Sequence, residues 1–361
     1  VYRIPYNYYK KLSWIFLPLV WLLLGYTLLK GTMIDGVNAS RWIQIPFIGL
    51  TFQTSTLAAI VLYIYVAQFL SKKRETAITF KASLLELWAP VFVTIALILP
   101  ANLSTAALIF SMVLMLVFIG KYPLKYIAII VGAGIIGLTF FILVAKAFPG
   151  AFPNRVDTWI SRIDNFATDK PDEDDYQIEK AKIAIASGGV YGLGPGKSVQ
   201  KNFLPQSSSD FIYAIIVEEY GLFGGLFVLA LYLLLLFRFV VAAHKSTTLF
   251  GKLLVIGLGF PIIFQAMTNM GVAVELLPVT GQTLPLISSG GTSIWITCIA
   301  LGIIINVTKK EDEIAEELSE KAKRDAAIEK LIDKQLKEDE MEEEDFSIEE
   351  AENPLNAVLN K

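Results

Sequence analysis

Long apolar runs dictate what this chain can fold into. Eight stretches, near residues 12–30, 52–70, 84–100, 103–120, 124–147, 211–242, 253–275 and 287–307, are dominated by apolar residues. Each is long enough, or nearly so, to cross a hydrocarbon layer, which takes about 20 helical residues with some tilt allowed. Where no water can satisfy N–H and C=O groups, runs of this length cross only as helices. Of the 361 residues, 54% are apolar and 18% charged, proportions that point away from an ordinary soluble fold. The sequence therefore predicts an all-α, polytopic integral membrane protein with about eight transmembrane helices. Only Leu99–Ser104 divides the third run from the fourth, and Pro100, Asn102 and Ser104 predict a tight turn between antiparallel helices there.

Short loops fix the orientation. Lys10 and Lys11, then Lys72, Lys73, Arg74 and Lys81, then Lys121 and Lys125, then Arg238, Lys245 and Lys252, and finally Lys309 and Lys310 all fall on one side. The positive-inside rule makes that side the cytoplasm and puts both ends there. Opposite lie residues 31–51, the 99–104 turn, a large extracytoplasmic loop over 148–210, and the 276–286 loop. The formal charge of −3 hides an asymmetry, because residues 309–361 hold 19 acidic and 9 basic residues while the remainder is net +7. Two regions are expected: a transmembrane domain over 1–308 and an acidic cytoplasmic tail over 309–361. In the tail, Ile314, Leu318, Ile328, Leu331, Ile332 and Leu336 suit an amphipathic helix, and "EDEMEEED" suits disorder. The chain opens at Val1 in the polar flank of a membrane helix, which predicts that further residues precede it. A single cysteine, Cys298, and a single histidine, His244, argue against an intrachain disulfide, His/Cys metal sites and His-based triads.

"GGVYGLGPGKS" (Gly188–Ser198) ends like a phosphate-binding loop. That loop needs Gly, four residues, then Gly-Lys-Ser/Thr, yet the residue five before Gly196 is Tyr191, and Gly192 comes one position late. The dinucleotide fingerprint fails as well, since Gly192, Gly194 and Gly196 alternate. The topology puts the segment outside the cytoplasm, where nucleotides are scarce. Two readings remain. Exposed N–H groups around Gly194 and Gly196, with Lys197, Ser198 and Lys201, suit an anionic ligand; alternatively the stretch is only a tight turn at a membrane re-entry point.

Acidic groups follow where they are expensive. Asp210 opens an apolar run, and Glu218 and Glu219 lie two turns into it; ionisable residues at membrane depth cost a few kcal/mol and usually face a cavity or a partner. Asp210 and Glu218 are eight residues apart, about 12 Å along one helix face, too far for a carboxylate dyad. Asp210 is either a general base or cation ligand, or an N-cap within Ser207–Asp210. Glu218 and Glu219 are either catalytic or paired with a basic side chain such as Arg238 or Lys252. "LLPVTGQTLPLISSGGTS" (Leu276–Ser293), with Pro278, Gly281, Pro285, Gly290 and Gly291, predicts irregular backbone at the outer boundary, tolerated only when packed on protein or lining a wet cavity.

Three segments carry a resemblance: "NASRWI" (Asn38–Ile43), Tyr176–Gly221 with "GLGPGKS" and "NFLPQSSSDFIYAIIVEEYG", and "LPVTGQTLPLISSGG" (Leu277–Gly291). Together they resemble the SEDS family (shape, elongation, division and sporulation), most of all its cell-division members, with the elongation members as the near alternative. The resemblance implies the SEDS fold with ten spans, so that two would be absent from the eight seen here. The chain departs from the family pattern at Thr56 and Ala59, where an acid and a lysine are common, at Asn102 in place of an acid, and at Gln206 in "LPQ".

What the resemblance implies is a peptidoglycan glycosyltransferase that polymerises lipid II at the outer face of the cytoplasmic membrane, with inversion and loss of undecaprenyl diphosphate. A lipid II flippase or a non-enzymatic division scaffold are the alternatives. Asp210 would be the catalytic base. Arg155, Lys197, Ser198, Lys201, Arg41, Gly194, Gly196 and Ser288 would bind substrate, and Glu218, Glu219, Gly281, Gly290 and Gly291 would play structural or secondary parts. Arg155 stands in "NRVDTWISRIDNF" (Asn154–Phe166), whose apolar face could equally anchor lipid headgroups. No organic cofactor is implied; a divalent cation, Mg2+ or Mn2+, at Asp210 is left open. The implied partners are lipid II, a class B penicillin-binding protein, other division proteins and membrane lipid, with no nucleic acid and no nucleotide, and the implied location is the septal inner membrane.

Overall fold

The structure, a computed structural model, describes residues 4, 6–31, 42–44, 51–73, 78–147, 173–290 and 293–309, and in the tail residues 313, 316, 319–321, 323–325, 328 and 330–332. The apolar runs are helical: α1 (Tyr8–Lys30), α2 (Thr54–Lys72), α3 (Phe80–Ile98), α4 (Leu103–Ile119), α5 (Leu124–Ala147), α7 (Ile212–Lys245), α8 (Leu249–Ala273) and α9 (Ser293–Lys309). Six of them, α1, α2, α3, α5, α7 and α8, are long and apolar enough to cross a membrane, while α4 and α9 are shorter apolar helices. The protein is a multi-pass membrane protein. A two-stranded antiparallel ribbon, β1 (Trp42–Gln44) and β2 (Thr51–Gln53), pairs Ile43 with Phe52 and leads directly into α2.

Burial separates the central helices from those facing lipid. Two-thirds (67%) of the most apolar window of α2, and the same share of α8, is buried inside the protein, against 28% for α7 and 6% for α5. Apolar side chains give no net attraction between helices in lipid, so polar contacts and close packing hold the bundle. Trp21 of α1 donates to Thr94 of α3 at 2.9 Å, Ser13 of α1 donates to Gln68 of α2 at 2.8 Å, and the Thr27 and Thr54 hydroxyls meet at 3.0 Å.

Proline explains the irregular start of α3. Pro90 has no N–H to give to the carbonyl of Glu86, and the preceding turn, Leu84–Trp88, widens to a π-helix. The freed Glu86 carbonyl accepts the Tyr65 hydroxyl of α2 instead. The 99–104 turn forms as predicted: α3 ends at Ile98, and Asn102, buried, caps α4 by accepting from the Thr105 N–H at 3.1 Å. This is the position where the family pattern has an acid, and Asn fills the capping role equally well. Asn102 also lines a small cavity with Thr27, Thr54 and Ser55.

The 148–210 segment is not a simple loop. Its second half contains α6 (Glu173–Gly188), which sequence hydropathy missed because its buried stripe is made of small residues, Ala181, Ala184 and Gly188. Ala181 and Ala184 pack with Leu204, Phe211, Ala214, Ile215, Val272 and Ala273 into a second, smaller core at the start of α7 and the end of α8. By contacts the chain divides into two units, Val1–Thr308 and Lys309–Lys361. In the second, the described residues between 313 and 332 are helical, and Ile328, Leu331 and Ile332 are exposed.

Candidate active site

The site is built around a break in α7. At 34 residues this helix is about 51 Å long, well beyond a hydrocarbon layer of about 30 Å. Ten residues in, Gly221 leaves helical geometry with φ 69°. The Leu222 N–H, which an unbroken helix would spend on the Glu218 carbonyl, donates instead to Gly189 at 2.9 Å. The vacated Glu218 carbonyl accepts the Leu193 N–H, and the Glu219 carbonyl accepts the Gly194 N–H, both at 2.9 Å. The glycine-rich turn therefore repairs the helix it touches, supplying the partners that buried backbone groups need.

Glycine is demanded here by distance. A Cβ on Gly188 would lie 2.1 Å from the Val217 carbonyl oxygen, one on Gly192 2.2 Å from that of Glu219, and one on Gly221 2.2 Å from that of Val190. Gly192 and Gly221 also have positive φ.

A carboxylate closes the turn. Glu218 is fully buried, and its oxygens accept the Ser198 hydroxyl, the Val199 N–H at 3.0 Å and the Gln200 N–H at 3.3 Å. Glu219 accepts the Ser198 N–H at 3.4 Å. Among the described residues no Lys or Arg pairs with Glu218, so the expected ion pair with Arg238 or Lys252 is replaced by a shell of neutral donors, and Arg238 lies exposed twenty residues further along α7.

The expected anion cradle is thereby narrowed. The Gly194 N–H is spent on Glu219, and Ser198, expected to meet substrate, is buried with its hydroxyl committed to Glu218. The Lys201 ammonium donates to the Gly196 carbonyl at 2.8 Å and remains at the surface. What stays open is the exposed Lys197, whose ammonium has no partner among the described residues, together with the Gly196 N–H beside it.

Thirteen residues past Lys197, a second set of contacts fixes Asp210. Gln206, at φ 57°, turns the chain so that its carbonyl collects the N–H groups of Ser209, Asp210 and Phe211 at 3.0 to 3.3 Å. Three successive carbonyls are each held from outside: Ser208 by the Ser289 N–H at 2.9 Å, Ser209 by the Ser288 hydroxyl at 2.6 Å, and Asp210 by the Asn269 amide at 2.6 Å. Asp210 is half-buried. The N-cap position of α7 belongs to Phe211, with no side-chain capping bond, so Asp210 is not the helix cap.

The 276–290 stretch that supplies these contacts has irregular backbone packed on protein, as its composition predicts. Tyr232 of α7 donates to the Pro285 carbonyl, Gln265 of α8 to that of Thr283 at 3.0 Å, Asn269 to that of Gln282 at 2.7 Å, and Gln282 to Thr105 at 3.1 Å. Gly281 makes its turn at φ 63°. Ser288, expected at the substrate, is instead buried, bridging the Leu284 N–H and the Ser209 carbonyl. Gly290 accepts at its carbonyl from Ile294 in the first turn of α9. Arg41, Arg155, Gly291 and the whole of the 148–172 segment, including "NRVDTWISRIDNF", lie outside the described residues. Sequence reasoning missed Asn269, Gln282 and Ser289; a lone Asn in the apolar run of α8 was the available signal.

The sequence pattern of the FtsW/RodA/SpoVE family of cell cycle proteins matches residues 1–313. A probable peptidoglycan glycosyltransferase FtsW from Nitrosococcus halophilus is 32% identical over 314 residues, covering 85% of this chain and 78% of that protein. Stage V sporulation protein E of Bacillus subtilis is 30% identical over 312 residues, covering 86% and 82%. Among solved structures, a chain from a peptidoglycan synthase complex, in which polymerisation and crosslinking are structurally coordinated, superposes with a TM-score of 0.65 at 25% identity, covering 86% and 84%. The rod shape determining protein RodA of Thermus thermophilus superposes with a TM-score of 0.57 at 24% identity, covering 84% and 79%, a likeness of fold.

Proposed function

The chain belongs to the FtsW/RodA/SpoVE family and is a peptidoglycan glycosyltransferase; from that premise we propose that it polymerises lipid II at the outer face of the inner membrane during division, with Asp210 as the base. The observation that carries this reading is the hold on Asp210, a half-buried acid whose main chain is fixed at three successive carbonyls while its segment stands at the mouth of α7. A general base must be held in place before the reaction, because proton transfer is effective only within hydrogen-bond reach.

In this reading Asp210 accepts the proton of the acceptor sugar's 4-hydroxyl as that oxygen attacks the donor's anomeric carbon. The bond to undecaprenyl diphosphate breaks and the configuration inverts. Charge develops on the leaving diphosphate, and the free ammonium of Lys197 with the Gly196 N–H, supported by Lys201, is suited to stabilise it. The donor's hydrocarbon chain stays in lipid, which suits a catalyst built from membrane helices. Among the described residues no group of three or more His, Cys, Asp or Glu could hold a metal by itself. Asp210 alone fits a Mg2+ or Mn2+ ion only as one ligand beside substrate phosphates. Such an ion would supply charge neutralisation at the diphosphate. The partner that fits is a class B penicillin-binding protein that cross-links the strands, within the division assembly at the septum and surrounded by membrane lipid.

The test is a polymerisation assay with purified full-length protein, its cognate class B penicillin-binding protein and lipid II. Glycan polymer from wild type that disappears with Asp210→Ala is expected. Lipid II crossing liposome membranes without polymer would replace the transferase with a flippase, and neither activity would leave a scaffold.

A further inference from the structure

We propose that Asn269, together with Ser288, is a positioning residue for the transferase, acting through the main chain that carries Asp210; the proposal rests on Asp210 being the base. Asn269 sits in α8, one of the two most buried helices, and is itself 1% exposed. Its amide nitrogen reaches two carbonyls from different segments, Asp210 at 2.6 Å and Gln282 at 2.7 Å. One rigid side chain thereby ties the start of α7 to the 276–290 loop. Ser288 does the same one residue earlier, donating to Ser209 while accepting from the Leu284 N–H.

Every one of these bonds goes to backbone, so Asn269 and Ser288 act on the main chain of the Asp210 segment. The orientation of the Asn269 amide is set by need. Both acceptors are carbonyl oxygens, so only the NH2 end can face them, and the amide oxygen lies buried with no hydrogen-bond partner among the described residues. A buried acceptor left unsatisfied costs free energy, and it is retained at the one place where the NH2 group holds Asp210. Packing alone would be served as well by Leu or Met at this depth of α8.

A residue that only positions the base affects the transition state more than substrate binding. Displacing a reacting group by about 1 Å can cost roughly 100-fold in rate. Asn269→Ala is therefore expected to lower kcat for lipid II polymerisation by about 10- to 100-fold with KM within about twofold, the signature of an interaction realised in the transition state. Asn269→Asp, isosteric but presenting oxygens to both carbonyls, should be at least as impaired.

The experiment measures kcat and KM with lipid II on the full-length protein and its cognate penicillin-binding protein, with thermal unfolding in detergent alongside. Wild-type kcat in Asn269→Ala, or a raised KM with unchanged kcat, overturns the proposal. Should the Asn269 variants fail to fold, Ser288→Ala decides: lowered kcat at unchanged KM supports the brace, and unchanged kcat overturns it. Asp210→Ala, run in parallel, separates the two assignments. If it still polymerises, the base reading falls and the brace falls with it; if it is inactive while Asn269→Ala and Ser288→Ala keep wild-type kcat, the brace alone falls.

Discussion

The segment from Ser198 to Asp210 is held at both ends, in contrasting ways. At its start a buried carboxylate, Glu218, gathers one hydroxyl and two backbone N–H groups. At its end an amide, a hydroxyl and a backbone N–H, all neutral, each take one carbonyl. The first arrangement buries a carboxyl group away from water, so removing it or its donors leaves polar groups unpaired and the loss falls on stability. The second spends only neutral bonds, which are individually modest, and holds the one acid that the proposed chemistry needs; its loss falls on rate. The contrast teaches that the glycine-rich turn is first a structural repair of α7 and that catalytic geometry is set from the opposite side, by α8 and the 276–290 loop.

The largest effect should come from the break itself. Gly221→Ala puts a Cβ 2.2 Å from the Val190 carbonyl oxygen and 2.5 Å from the Gly192 nitrogen, at a φ of 69°. Neither neighbour is a flexible side chain. Loss of folded protein is expected, read as aggregation in size-exclusion chromatography. A well-folded, active Gly221→Ala protein would mean that the turn does not need α7 to break.

Glu218 comes next. Glu218→Ala leaves the Ser198 hydroxyl and the N–H groups of Val199 and Gln200 without this acceptor, at roughly 1–3 kcal/mol for the buried hydroxyl and less for the two part-buried N–H groups. Glu218→Gln keeps one oxygen acceptor and should lose about half as much melting temperature, and Ser198→Ala, which removes a single buried hydrogen bond, should cost about 1–3 kcal/mol. The measurement is thermal unfolding in detergent. The comparison of the two ends breaks if Glu218→Gln melts like wild type yet polymerises slowly, because both ends would then control rate.

How much of this was legible in the sequence depends on what carries each interaction. The bundle helices were legible because a run of apolar side chains is itself the requirement for crossing lipid. Helix α6 was not, because Ala181, Ala184 and Gly188 bury a face without raising hydropathy, while Glu179, Lys180 and Lys182 dominate the composition. Glu218 announced itself as an acid at depth, but its partner could not be read, since backbone N–H groups have no letter of their own. The same holds for Asp210: the sequence places the acid at a helix mouth, and its segment is held through three of its own carbonyls, which any residue would supply. Asn269 and Ser288, the side chains on the other half of two of those bonds, lie 59 and 79 residues from their acceptors, a separation that no local spacing rule bridges.

Lys197 should show the smallest effect on folding, and it tests what is left of the turn as an anion site. Its side chain runs past Gly194 with the ammonium exposed and unpartnered among the described residues, so Lys197→Ala should change stability by no more than about 0.5 kcal/mol. If the ammonium meets the diphosphate, the same variant binds lipid II more weakly and loses polymerisation rate, and both losses shrink as ionic strength rises, since salt already screens the exposed charge in wild type. Gly196→Pro, which removes the neighbouring N–H, cannot substitute for this test, because Gly196 has φ 74° and Pro is fixed near −65°. The charge-reversed Lys197→Glu sharpens it instead: the same backbone and exposure with a repelled diphosphate should fall below Lys197→Ala. If Ala and Glu both bind and polymerise like wild type, the turn serves α7 alone, and the charge that stabilises the leaving group must come from elsewhere.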